Sequence, residues 1–160
     1  MTAATGDAPY IAVIGASRAS VQEQATAERV GAELARAGAL VICGGGPGVM
    51  AGASRGAAQA GGTVIGILPG DDRSRANEWV SIALATGVGE LRNGLIVRAC
   101  DAAVAVGGAY GTLSEIALAL AQAVPVVGLG TWRIDGVEHH DDPVRAVARV
   151  LELARARRGS

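Results

Sequence analysis

Apolar residues along this chain follow two alternating rhythms. Runs of five or six residues, Tyr10 to Ile14, Ala39 to Cys43, Thr63 to Leu68, Ala102 to Val106 and Pro125 to Leu129, carry no charge and stop at or beside glycine, proline or aspartate. Uninterrupted short runs of this kind are the pattern of strands buried on both faces of a parallel sheet. Trp79 to Leu84 gives a sixth, weaker strand. Between the runs the period becomes helical. Ser20-Val-Gln-Glu23 has capping-box spacing and opens a helix to about Ala37, with Val30 and Leu34 inward and Gly38 as the stop. Pro47, as a first-turn residue, starts a second helix that closes at Gly61-Gly62. Leu91, Leu95 and Ala99, at i, i+4 and i+8, predict a third helix over Glu90 to Ala99 with those residues facing the core. Thr112 opens a fourth, whose inner face is Leu113, Ile116, Ala117, Leu120 and Ala121. Asp141-Asp142-Pro143 begins a C-terminal helix that ends in Arg155, Arg157 and Arg158, cations placed where the helix dipole favours them. Residues 1–9 read as a flexible leader and 71–77 as a polar surface loop, while the stretch between 129 and 141 carries little signal. The β-α-β alternation predicts an α/β fold: a single domain over residues 10–160, a doubly wound, Rossmann-like parallel sheet with helices on both faces.

Composition narrows what such a fold is built to do. The chain has no Phe, two Tyr and two Trp, so stacking on aromatic side chains is not its main means of holding a ligand. A net charge of −1 leaves no basic footprint for nucleic acid. All fourteen basic residues are Arg. Without lysine there is neither a Schiff-base residue for pyridoxal phosphate nor a complete Walker A motif, and phosphate must be held by backbone N–H groups, helix dipoles and Arg. Cys43 and Cys100 lie in apolar stretches and read as buried thiols of a reducing compartment. The N-terminus lacks a signal-peptide pattern, and Gly and Pro break the longest uncharged runs. A cytoplasmic protein without a membrane partner is expected.

Ligands of open parallel sheets bind beyond the carboxyl ends of the strands, where glycine permits close backbone approach and a helix N-terminus favours an anion. Three strand ends here carry glycine. They supply Gly15 and Ser17, then Gly44, Gly45, Gly46 and Gly48, then Gly107, Gly108, Tyr110, Gly111 and Thr112 as candidate phosphate contacts. One such turn can be no more than a tight connection; three in one sheet point to a site. Gly46-x-Gly48-x-x-Ala51 has dinucleotide spacing, but it follows the second strand and no acidic residue ends the next one, which argues against a nicotinamide site. Thr112-x-x-Glu115 is readable as a capping box or as a carboxylate at the ligand rim. Arg92, early in the third helix, is either a solvated arginine or a phosphate fork. His139-His140-Asp141-Asp142 reads as a surface loop whose acids cap the last helix, so no metal site is assigned.

Three stretches together resemble the lonely-guy-like superfamily of Rossmann-type proteins over roughly Tyr10 to Leu129. They are Gly44-Gly-Gly-Pro-Gly-Val-Met50 with Gly61-Gly-Thr-Val-Ile-Gly66, then Glu90-Leu-Arg92-Asn93, then Gly108-Ala-Tyr-Gly-Thr-Leu-Ser-Glu115. The superfamily includes cytokinin riboside 5′-monophosphate phosphoribohydrolases, proteins mislabelled lysine decarboxylases, and molybdenum-cofactor carriers. The resemblance implies that Arg92 stands in the place of the catalytic arginine and Glu115 in that of the essential glutamate. It implies that Met50 and Asn93 belong to the binding site, and that Gly108, Tyr110, Gly111 and Thr112 form the phosphate turn. Asn93, Gly107, Ala109 and Ser114 replace the lysine, proline, glycine and first glutamate of the hydrolase pattern, and these departures are similar to the carrier branch. The resemblance therefore implies a small phosphorylated ligand, molybdenum cofactor or a nucleoside monophosphate, with no further cofactor required, held by a homodimer or larger assembly. The alternative is N-glycosidic cleavage of nucleoside 5′-monophosphates by Arg92 and Glu115.

Overall fold

A computed structural model describes residues 6–160; the first five residues of the expected leader lie outside the described residues. Gly6 and Asp7 offer their carbonyls to the Arg158 guanidinium (2.6 and 2.8 Å). The strands are β1 (Tyr10–Gly15), β2 (Leu40–Cys43), β3 (Val64–Leu68), β4 (Ile82–Ala85), β5 (Ala102–Val106), β6 (Val126–Leu129) and β7 (Val137–His139). The helices are α1 (Val21–Arg36), α2 (Val49–Gln59), α3 (Arg92–Ala99), α4 (Tyr110–Ala121) and α5 (Pro143–Arg158). All seven strands are parallel, in the order β4-β3-β2-β1-β5-β6-β7. The chain builds outward from β1 to β4, then returns to place β5 on the other side of β1. That reversal opens a crevice at the carboxyl ends of β1 and β5.

Alternate residues of each strand feed two cores. Ile11, Val13, Val41 and Val104 face α1, α2 and α5, whereas Ala12, Ile14, Ile42 and Ile67 face α3 and α4. Cys43 and Cys100 are free and buried, one in each core. Burial pushes both thiols up, Cys100 to about 11, so neither is a reactive thiolate. Helices α1 and α2 approach until backbone meets backbone, and a Cβ on Gly31 or Gly56 would strike the Ala53 or Glu28 carbonyl across the interface.

Several elements differ from the periodicity reading. In α3 the inward residues are Asn93, Ile96 and Val97, and Leu91 and Leu95 are 79% and 45% exposed. Both sets recur at helical spacing, so only packing on the sheet selects between them. Helix α4 begins at Tyr110 rather than Thr112 and buries Thr112, Glu115, Ile116 and Ala119, leaving Ala117 and Ala121 exposed. The positive φ values of Gly107 and Gly108 turn the chain into the helix before Thr112 is reached. Pro47 precedes the α2 cap, Gly48, instead of occupying the first turn. The weak fourth strand starts three residues later, because Asn77 ties the chain before it to the Gly45 and Gly46 carbonyls (2.8 and 3.0 Å). The low-signal stretch contains β7, fastened to α5 by a two-pronged Arg149–Glu138 pair (2.7 and 2.8 Å). Asp142 caps α5 through the Arg145 amide, as its place before Pro143 suggests. Among the described residues no helix is long and apolar enough to cross a membrane.

Candidate functional site

The turns leaving β1, β2 and β5 converge at the crevice. Gly15 sits where a Cβ would lie 2.5 Å from Val49 Cγ1 and 2.7 Å from the Val106 carbonyl, so β1 can end there only on glycine. Gly48, at φ +69°, starts α2 against the carbonyls of Ala16 and Ser17. The Val49 amide donates to Ala16 O (3.1 Å), so the first turn of α2 spends a donor on the protein itself.

Arg92 opens α3 and points into the strand ends. Its Nη1 donates to Gly44 O (2.6 Å) and Ile67 O (2.8 Å), and its Nε donates to Asn93 Oδ1 (2.9 Å). The guanidinium is thus anchored to the ends of β2 and β3, and no described residue accepts from Nη2, which is left for a ligand. Asn93 in turn donates to Ser114 Oγ (3.3 Å), which donates to Gly111 O (2.7 Å). Two of the four positions that depart from the hydrolase pattern, Asn93 and Ser114, therefore touch each other and couple α3 to the first turn of α4.

Thr112 and Glu115 do not form a capping box. Ala109 is the cap residue and uses no side chain. Instead both residues lie on the inner stripe of α4, where Thr112 Oγ1 has no hydrogen-bond partner and Glu115, 8% exposed, accepts from no described residue. Burial pushes the Glu115 carboxyl up to about 8, with Arg92 pulling in the opposite direction. A buried carboxyl without internal hydrogen bonds, facing a fixed guanidinium, is a group prepared for something else to bind.

Two adjoining hollows make up the cleft. A polar lobe of about 360 Å³ is lined by Gly15, Ser17, Arg92, Asn93, Gly111, Thr112 and Glu115. A more apolar lobe of about 370 Å³ lies between Gly44, Gly46, Pro47, Met50, Leu68 and Pro69. Ser17, Met50 and Arg92 border both. Ten of the fifteen expected residues meet here. The others do not: Gly45 packs on Leu68, Gly48 abuts the Ala16 and Ser17 carbonyls, and Gly108 is pressed against Thr112. Gly107 opens on a separate cavity of about 410 Å³ beside Glu23 and His140. Tyr110, 82% exposed, stacks outward on Trp132 at 6.2 Å between centroids. Each therefore shapes the turns without lining the cleft. Arg18 and Glu90 in the polar lobe, and Asp72 and Arg75 in the apolar one, were not marked by sequence. Arg18 and Asp72 lie in loops, and Arg75 and Glu90 in single 3-10 turns too short for a period to signal direction.

A family model, the SLOG cluster4 family, matches residues 8–156. The chain belongs to the SLOG cluster4 family. An uncharacterised protein of Archaeoglobus fulgidus is 40% identical over 138 residues, spanning 86% of this chain and 91% of that one. Among solved structures, the molybdenum cofactor binding protein of Rippkaea orientalis superposes with a TM-score of 0.85 at 32% identity, covering 91% of this chain and 96% of that one. The molybdenum cofactor carrier protein of Chlamydomonas reinhardtii superposes with a TM-score of 0.84 at 35% identity, covering 92% and 99%. This SLOG cluster4 chain therefore shares the Rossmann-like fold of those two proteins.

Proposed function

We propose that this protein binds a phosphorylated nucleotide- or pterin-like ligand in the cleft between α3 and α4, as a molybdenum-cofactor-carrier-like protein of the cytoplasm. One observation carries the reading: Thr112 Oγ1 and the Glu115 carboxyl are buried without partners among the described residues, opposite an Arg92 whose Nη2 meets no acceptor among them. Leaving such groups unpaired costs stability, and a ligand that meets them recovers it. The likeness to the two molybdenum-cofactor proteins supports the choice of ligand class. The phosphate would rest on the Gly111–Thr112 turn at the start of α4, where helix amides and Arg92 favour an anion. Exposed Ile82 and Leu84 of edge strand β4, on the sheet face that carries α3, and exposed Leu91 and Leu95 supply apolar surface for association into a homodimer or larger assembly.

A second reading is phosphoribohydrolase activity, favoured by the meeting of Arg92 and Glu115 in one lobe. Here Arg92 would orient the phosphate and Glu115, once ionised, would stabilise the cationic sugar. Incubation with AMP and modified adenosine monophosphates, followed by chromatography for free base, separates the two. The carrier reading expects no release, together with thermal stabilisation by nucleotides or pterin phosphates that is lost in Arg92→Ala and Glu115→Ala. Base release abolished by the same substitutions would replace it with the hydrolase.

A further inference from the structure

The apolar lobe has a wall that the reading above does not use. Residues 69–77 fold back from the end of β3 over the Gly44–Gly46 turn, and both ends of the strap are pinned. At its start the Gly89 and Gly87 amides donate to Pro69 O and Gly70 O (2.9 Å each), at its end Asn77 Nδ2 donates to Gly46 O (3.0 Å), and within it Asp72 Oδ1 holds the Ser74 amide and hydroxyl (2.9 and 2.7 Å). The slot beneath is about 370 Å³, faced by Pro47, Met50, Leu68 and Pro69, with Arg92 at its inner end and Arg75 at its outer end. Its volume and apolar faces suit a flat ring.

An account of hydrogen-bonding groups around the slot tells which ring edge fits. Gly44 O and Ile67 O receive Arg92, while Gly45 O and Gly46 O receive Asn77. Leu68 O receives Thr86, Pro69 O receives Gly89, and Gly70 O receives Gly87. Every backbone acceptor of the slot named here already has a donor, and Asp72 spends one oxygen on Ser74. Arg75, by contrast, has no acceptor among the described residues, and guanidinium only donates.

From this, and resting on the proposed nucleotide- or pterin-like ligand, we infer that the slot takes the ligand's planar heterocycle and that Arg75 reads an oxo-bearing, acceptor edge of it. The strap is the specificity wall of the site. An amino group at the same ring position would set donor against donor, since the guanidinium has no acceptor to offer it. A guanidinium fork matches adjacent carbonyl and ring-nitrogen acceptors in two-pronged fashion, as arginine does with O6 and N7 of guanine.

Calorimetric titration of the full chain with inosine 5′-monophosphate, adenosine 5′-monophosphate and ribose 5-phosphate tests this, because the two nucleotides differ at the ring edge alone. The expected result is binding of the oxo nucleotide about 10-fold tighter than the amino one. Arg75→Ala should reduce it to the adenosine level and leave ribose 5-phosphate binding unchanged; Arg75→Lys, which keeps charge but loses the fork, should behave like Arg75→Ala. Equal or tighter binding of the adenosine nucleotide, or an oxo preference that survives Arg75→Ala, overturns the inference while leaving the cleft as the phosphate site. Ribose 5-phosphate binding as tightly as both nucleotides overturns the slot as a ring site. Failure of all three to bind overturns the nucleotide form of the proposed function and this inference with it.

Discussion

Thr112 and Glu115 are polar residues on the buried stripe of a helix, and each carries a measurable cost. An unpartnered buried hydroxyl costs about 1–3 kcal/mol, so Thr112→Val is expected to hold or raise the urea midpoint of the free protein. The same change should weaken binding of a phosphorylated ligand roughly 10-fold, the loss of one hydrogen bond of about 1.4 kcal/mol. Stability and affinity would then move in opposite directions, the mark of a group held ready for a ligand. Glu115 gives a pH signature. Its folded-state value of about 8 lies above the ordinary 4.5, so between those limits the folded protein keeps a proton that the unfolded chain has released. Stability therefore falls as pH rises from about 4.5 to about 8, by an amount on the order of a few kcal/mol. Arg18, Glu90 and Arg92 border the same lobe, and the Cys43 thiol at the end of β2, raised by burial, stays neutral through that window. Glu115→Gln should flatten this slope and raise the melting temperature most at pH 8 and above. An unchanged slope in the variant would place the titration elsewhere.

Among the elements, the α1–α2 pair shows how glycine can be worth more than helix propensity. Alanine normally stabilises a helix interior by about 1 kcal/mol over glycine. Gly56 of α2, however, lies directly on the Glu28 carbonyl of α1, and a backbone obstacle cannot rotate away. Gly56→Ala is expected to push the helices apart and lower stability by about 2 kcal/mol, within the usual range for overpacking. Denaturant titration measures this, and a stabilised variant would show that the interface yields more easily than its contacts imply. Because α2 starts from the Gly44–Gly48 turn, the same shift would move Met50 at the waist of the cleft.

At the scale of the molecule, the sheet is covered unevenly. All-parallel sheets bury both faces, but edge strand β4 leaves Ile82 and Leu84 exposed on the sheet face that carries the short helix α3, where Leu91 and Leu95 are exposed as well. Association through this face predicts that sedimentation finds dimers or larger species, and that Leu91→Arg with Leu95→Arg shifts them to monomer without unfolding. A wild-type monomer at tens of micromolar would remove the face from the account. The crevice itself depends on the whole topology, since residues 17, 50, 75, 92 and 115 come from five separate segments that only the strand order brings to one end of the sheet.

How far the sequence reaches is clearest in two identical spacings. Ser20-x-x-Glu23 and Thr112-x-x-Glu115 both read as capping boxes, and only the first is one. Local spacing decided the first, because nothing else determines where α1 begins. The second was decided by the positive-φ pair Gly107–Gly108, which starts α4 early and rotates Thr112 and Glu115 inward. The sequence alone settled the doubly wound parallel sheet, since buried strands and amphipathic helices are written in neighbouring residues. It also placed Arg92 and Glu115 among the candidates. Tertiary structure alone decided which side of α3 faces the sheet, which backbone carbonyls hold Arg92, and that a strap closes the second lobe. Those outcomes rest on contacts between residues far apart in the chain, whose energies no local period records.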